Sequence, residues 1–496
     1  MNFDYKGIFY FKKHLSVPPS GVRGLLLLAV FVVLIHPANA IDYNVKAFGA
    51  KGDGLTIDTK AIQSAIDSCT VTGGRVVFAN GQFVTGTIYL KSNVTLFVDK
   101  GAGIIGSTNI ADYPHNQLDF RFFGDTWVSQ SLIFARNAVN IGIEGTGTID
   151  GRGSSFKVKT KIKPDKYRNR PYLLWIAGCQ KVRVTGIELR NSAMWMQSYI
   201  RCDDLRIEGI NVFNHSNHNN DMMDIDGCRN VVINNIIGDT DDDGITFKST
   251  CDRISENIVV SNCVLSSHCN ALKFGTESTT GFRNVSISNC VIRPSEIKTN
   301  ISGSPEGTAG LVLEIVDGGL MENINISSLV IDSPQVPIFV RLGNRARKHY
   351  AEAPQPGIGK MNGINISNVI ARSSGKFSSS IMGVEGGNVE NITLSDIHFI
   401  ATGGGTAEDA AAKVEELPAE YPEATMFGYL PSSALYVRHV RGLKLTNITF
   451  DLKNSDARPL MVFDDVIRAK ISDTFKTGIP AIDLLKQIHC TDIELK

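Results

Sequence analysis

From about residue 74 onward, apolar and polar residues alternate in short runs, each broken by a small or polar pair. Such alternation marks half-buried β-strands. One phrase keeps returning. It reads Val182-Arg183-Val184-Thr185-Gly186-Ile187, then Leu205-Arg206-Ile207-Glu208-Gly209-Ile210, then Val231-Val232-Ile233-Asn234-Asn235-Ile236, then Ile258-Val259-Val260-Ser261-Asn262-Cys263. The same phrase recurs at 285–290, 324–329, 364–369, 392–397 and 443–448. The mid-chain interval of about 23 to 27 residues is a solenoid period. A unit this short cannot bury its inner face alone, whereas stacked coils bury it continuously. The pattern therefore predicts an all-β protein, a right-handed parallel β-helix. Ahead of it, Asp58 or Thr59 can cap a short helix with an apolar face of Ala61, Ile62, Ala65 and Ile66, a natural cover for the first coil. Longer intervals at about 153–170, 295–308, 344–360 and 402–432 read as loops, the last with a short helix in Glu408–Glu416. Insertions on one side of a solenoid wall a groove.

Balanced charge, with 50 basic and 50 acidic residues in 496, gives no support for nucleic acid as a partner. Lys12, Lys13, His14 and Arg23 precede the apolar run Leu25–Ile35, and Ala38-Asn39-Ala40 offers a cleavage point. Residues 1–40 are expected to be a signal peptide. Residues 41–496 are then one secreted domain, periplasmic in a bacterium, without a membrane anchor after cleavage and monomeric. Nine cysteines leave at least one unpaired. Cys263 and Cys290 fall at equivalent places in the repeat and are expected to stack as small apolar filler. Sequons such as Asn93, Asn284, Asn325 and Asn391 sit mostly within the repeat phrase.

Candidate chemistry is concentrated between Asn219 and Glu277. Asn219-Asn220-Asp221, Asp241-Asp242-Asp243 and Asn270–Glu277 fall about one coil apart, so stacking brings them to one face. Crowded carboxylates cannot all ionise freely, and one keeps its proton. An acid and a base held apart in this way suit acid–base cleavage of a glycosidic bond. Lys248 and Lys273 lie beside the acids as candidate substrate-binding cations. Asp224 and Asp226 read as structural hydrogen-bonders, and Asp239 and Asp241 as solvated corners rather than metal ligands. Neither metal nor cofactor is expected.

Several phrases carry a family resemblance. They are Val45-Lys46-Ala47-Phe48-Gly49-Ala50 with Gly52-Asp53-Gly54, Gly147–Gly153, Arg170-Pro171 and Asn191-Ser192-Ala193-Met194-Trp195, together with the acid motifs. Over nearly the whole mature chain the sequence resembles glycoside hydrolase family 28, the pectin-degrading polygalacturonases, which have the pectin lyase-like solenoid fold. The resemblance implies an inverting hydrolase of α-linked galacturonide bonds in pectic polysaccharide. Asp242 would be its general acid, and Asp221 and Asp243 would hold the attacking water. Two departures stand out. Anchoring on Leu272-Lys273-Phe274-Gly275 puts Asn270 where the family carries a histidine, with His268 two residues earlier. Val312-Leu313-Glu314 falls where the family grips a sugar carboxylate with two cations, and Glu314 there would repel it. Arg341 and Arg345 are expected to replace that grip, and Glu277 to add a site carboxylate. The departures keep exo-action, rhamnogalacturonan hydrolysis, lyase chemistry and a non-catalytic polysaccharide binder open as alternatives.

Overall fold

A computed structural model of the chain describes residues 41–478 and 483–496. The expected signal segment lies outside the described residues. The 34 strands stack as a right-handed parallel β-helix, and every pairing between named strands is parallel. Three sheets run along it. The first, here the groove sheet, includes Tyr172–Ala177, Gln197–Ile200, Met223–Asp226, Ile245–Ser249, Asn270–Ser278, Ala309–Ile315 and Val336–Leu342. The second carries the repeat phrase. The third holds short strands such as Asn211–Asn214 and Ile237–Thr240. Toward the C-terminus, long strands such as Leu320–Asp332 bend round the corner and serve both the second and third sheets.

The repeat phrase fixes the register. Val182, Leu205, Val231, Ile258, Val285, Ile324, Ile364, Ile392 and Leu443 are direct partners from coil to coil. Each is buried in a single continuous core. The small or polar pair turns the corner. Its second member, Gly186, Gly209, Asn235, Asn262, Asn289 or Asn368, has a positive φ between 52° and 74°. Glycine and asparagine tolerate that left-handed conformation best. A second asparagine row forms a ladder, Asn257 Nδ2 donating to Asn230 Oδ1 at 3.2 Å and Asn284 Nδ2 to Asn257 Oδ1 at 3.1 Å. Asn284 and Asn391, which donates to Asn362, are thus sequon asparagines whose amides serve the stack.

The helix Thr59–Thr72 covers the first coil through Ile62, Ala65, Ile66 and Cys69. Asp58 makes no side-chain cap bond. Its carboxylate instead accepts from Lys51 and Gly52 N–H and ties down the preceding turn. A four-residue helix, Ala407–Ala410, begins on a Thr406/Asp409 capping box. All nine cysteines are unpaired thiols, Cys263 and Cys290 among the buried ones. The four expected loops leave the sheets as anticipated. A further excursion, residues 107–130, carries Phe122, Phe123 and Trp127 over the groove sheet.

Candidate active site

Three coils of the groove sheet build the site. Asp221 lies two residues ahead of the strand Met223–Asp226, the turn 241–243 precedes Ile245–Ser249, and Asn270 opens Asn270–Ser278. In register Asp224 faces Thr246 and Thr246 faces Lys273, so these side chains form a row on the outer face. Ahead of that row stand Asp221, Asp243 and Asn270.

Asp243 is gripped firmly. Its Oδ1 accepts from Asn270 Nδ2 at 2.7 Å and Asn270 N–H at 3.2 Å, and Lys273 Nζ lies 2.9 Å from Oδ2. Two donors and an ammonium stabilise a carboxylate anion. Burial and the neighbouring Asp243 charge push Asp242 up from 3.8 to about 6, against the pull of Lys273 and the Cys269 thiol. Burial, with Asp224 and Asp242 beside it, raises Asp221 well above the ordinary range. Asp221 Oδ1 is buried and has no hydrogen-bond partner among the described residues. Lys248 lies between acids, its Nζ 2.9 Å from Asp224, 3.7 Å from Asp221 and 3.8 Å from Glu277. It also stands 5.0 Å above the Trp195 ring. The three aspartates, Lys248, Asn270, Lys273 and Glu277 are therefore brought together.

The bulge that delivers Glu277 is local. Pairing between Ile245–Ser249 and Asn270–Ser278 shifts register after Phe247, so Ser249 meets Ser278. The extra residues include Gly275, at φ +109°, where a side chain would be strained and 3.0 Å from Glu314. Glu277 turns to Arg347, which bonds it at 2.7 Å. Burial would raise Glu277, but Arg347, Lys248 and Arg345 hold it well below the usual carboxylate range.

Other expected residues sit elsewhere. His268 is fully buried and faces away from the acids. Its Nδ1 meets Asp241 at 3.0 Å and its Nε2 donates to the Ile297 carbonyl at 2.9 Å. Asp241 is no solvated corner: it is buried, and its carboxylate also accepts from Ile301 and Ser302 N–H at 2.8 Å. His215, Asp241 and His268 bring ligand-type atoms within 4.8 Å of one another. The Asp241 oxygens are already spent on this clasp between the acid turn and the loop 295–302. Arg341 is 1% exposed, and its guanidinium donates to the carbonyls of Gly383, Glu416 and Leu417. It braces the 402–432 loop instead of the groove. Arg345 is committed to Asp317 and the Thr276 carbonyl. Glu314 is also buried, and burial raises its carboxyl well above the ordinary range, against the pull of Lys273.

A family profile for Glycosyl hydrolases family 28 matches residues 116–420, more than half of the chain. The chain belongs to glycosyl hydrolases family 28. It is similar to an exo-poly-alpha-D-galacturonosidase of Dickeya chrysanthemi, 28% identical over 254 residues, 41% of each chain. The chain thus spans less than half the length of that relative. Among solved structures it is similar to an exopolygalacturonase of Thermotoga maritima, with TM-score 0.61 and 21% identity over 83% of this chain and 91% of the other. A family 28 exopolygalacturonase of Yersinia enterocolitica matches with TM-score 0.61 and 18% identity, over 90% and 80%. At these identities the two structures carry the fold.

Within this family 28 site, sequence reading missed a cation and a wall. Arg347 lies two residues beyond the expected Arg345, in a stretch with no repeat to orient it. The wall consists of Phe122, Phe123 and Trp127 from the unexpected excursion, with Tyr167 from the 153–170 loop. Aromatic density in the 107–130 segment was the available signal.

Proposed function

We propose that this chain hydrolyses α-linked galacturonide bonds in pectin with inversion, acting from a chain end. The carrying observation is a buried carboxylate cluster on adjacent coils whose members are held by different partners. Asp242, pushed up to about 6, retains its proton in mild acid and donates it to the leaving oxygen. Asp243, fixed by Asn270 and Lys273, deprotonates the attacking water, and Asp221, with an unused Oδ1, orients it. Crowded groups titrate as a set, so the acid limb and basic limb of the rate belong to the cluster. Chain-end action is supported by the aromatic excursion 107–130, whose Phe122, Phe123 and Trp127 wall the hollow beside the acids. We further read residues 41–496 as one domain exported by the 1–40 segment. Among the described residues no helix is long and apolar enough to cross a membrane.

Rhamnogalacturonan is a second reading, favoured by one observation. Glu314 and Glu423, both raised by burial, lie on the Lys273 side of the acids, and the Lys273 ammonium is spent on Asp243. A neutral sugar suits that side better than a second uronate.

Product analysis on polygalacturonate and on rhamnogalacturonan backbone, with and without chelator, tests both. Saturated galacturonate of inverted configuration from the first substrate is the expected result. Cleavage of the second alone would replace it by the second reading. An unsaturated, chelator-sensitive product would overturn hydrolysis altogether.

A further inference from the structure

Beside the acid cluster, on the side away from Glu314, lies a hollow open to solvent. Aromatic rings line much of it. Tyr167 stacks on Trp195 at 5.1 Å and 20°, and Tyr172 lies 5.8 Å from Trp195 at 27°. Trp127 covers Tyr167 at 4.7 Å. The end wall is firm: Asn116 N–H bonds Ser129 O at 2.7 Å, closing the loop, and Phe123 N–H bonds Thr250 O at 2.9 Å, pinning it to the groove sheet.

Its polar groups are unevenly paired. Three cations, Lys163, Lys248 and Arg347, and three carboxylates, Asp224, Asp226 and Glu277, line the hollow. Asp224 is buried, and its Oδ2 has no hydrogen-bond partner among the described residues. Lys248 is spent on Asp224 and Glu277. Lys163 pairs with no carboxylate among the described residues; its nearest ring neighbours are Tyr167 at 5.8 Å and Tyr421 at 6.0 Å. Arg347 gives Nη2 to Glu277 and lies flat on Phe123, 3.5 Å from the ring centre. Its Nε and Nη1 donate to no group among the described residues.

We propose that this hollow is the subsite for a terminal uronate sugar, with Lys163 and Arg347 as the residues that select its carboxylate. The inference rests on the glycoside hydrolase reading and deepens it. The aromatic lining offers the apolar side of a pyranose a surface to pack on, and Asp224, whose Oδ2 is unpartnered, meets a hydroxyl. The carboxylate then lies against the two cations that have donors to spare, since guanidinium and ammonium bond an oxyanion more strongly than a neutral group. A neutral hexose would leave Lys163 without a counter-charge and the Arg347 Nε and Nη1 without a charged acceptor. Glu277 acts through Arg347: it holds the guanidinium flat on Phe123 and is a positioning residue.

The test measures binding without turnover. Galacturonic acid, its methyl ester and galactose are titrated by NMR into the full chain and into its Lys163→Gln, Arg347→Gln and Arg347→Lys variants. The unchanged chain is expected to bind galacturonate at least about ten-fold more tightly than the ester or galactose, and each Gln variant to lose about that factor for galacturonate alone. Arg347→Lys, which keeps the charge and loses the fork, should fall between. Lys163 is exposed, so its variant folds even if the Arg347 variants do not. Equal affinity for the three sugars, or galacturonate binding unchanged in Lys163→Gln and Arg347→Gln, overturns the proposal. Charge-dependent binding in a chain that cleaves no pectic substrate would keep the subsite and sink the hydrolase reading. Cleavage of a pectic substrate with charge-blind binding would do the reverse.

Discussion

At the scale of single residues, two aspartates adjacent in sequence are given opposite surroundings. Asp243 receives two nitrogen donors and an ammonium; Asp242, half-buried beside it, receives a thiol and a neighbouring negative charge. Replacing Asp242 by Asn removes the donated proton and also a like-charge contact. We expect Asp242→Asn to lower kcat by about 10³-fold or more, as loss of a positioned general acid does. Its thermal midpoint should be unchanged or higher. Turnover near that of the unchanged chain in a folded variant would discard the mechanism. Lys273 is the other decisive residue. Lys273→Met strips the cation from a buried pair, which costs about 3–5 kcal/mol when one partner remains. The same change should cut kcat about 100-fold with little effect on KM, because Lys273 bonds Asp243 and not the sugar. A KM effect alone would mean that Lys273 binds substrate directly. Much of this centre was legible in the sequence, since the acids lie one coil apart and the coils repeat. What a sequence does not convey is occupancy. Arg341 and Arg345 carry the right charge, but each is consumed by carbonyls or by Asp317.

At the scale of elements, regularity and exception divide the legible from the illegible. The repeat phrase predicts its own partners, and the left-handed corner explains why asparagine recurs there. The same recurrence produces many of the sequons, with Asn284 and Asn391 serving ladders. The 107–130 excursion has no repeat, and its position over the groove follows from contacts such as Phe123 to Thr250 that no local pattern encodes. His268 belongs to this second class. Alternation along a strand would put it on one face with Asn270, two residues on. Instead it lies before the strand and fastens the 295–302 loop to the acid turn through Asp241. Both of its nitrogens face acceptors, an arrangement that suits the imidazolium. Burial would lower its proton affinity, but the Asp241 bond and the Ile297 carbonyl raise it overall. His268→Leu should lower both the thermal midpoint and kcat while leaving KM within about two-fold, since the clasp orients the turn that bears Asp242 and Asp243. A selective rise in KM would show that His268 reaches the substrate and would remove the clasp.

At the scale of the whole molecule, the buried acids make stability itself depend on pH. Asp226 is raised by burial from 3.8 to about 6, although both Thr250 bonds oppose the rise, and Asp242 is raised to about 6 as well. The folded chain therefore keeps protons that the unfolded chain releases between about pH 4 and pH 6. Where the native state binds more protons, stability falls as pH increases. Glu277, held well below the ordinary range by its cations, works in the opposite direction and only under more acidic conditions, where its salt bridges begin to be lost. The two trends put the stability maximum in mild acid, the same window in which Asp242 retains its proton for the leaving oxygen. Urea midpoints measured at pH 5 and pH 7 should therefore be higher at pH 5. Asp226→Asn, which preserves shape and the capacity to accept from Thr250, should narrow that difference by removing one of the contributing protons. A higher midpoint at pH 7, or a difference untouched by Asp226→Asn, would mean that these acids are solvated enough to ionise at ordinary pH. The proton that Asp242 donates would then lose its physical basis, because the same burial that raises Asp226 raises Asp242.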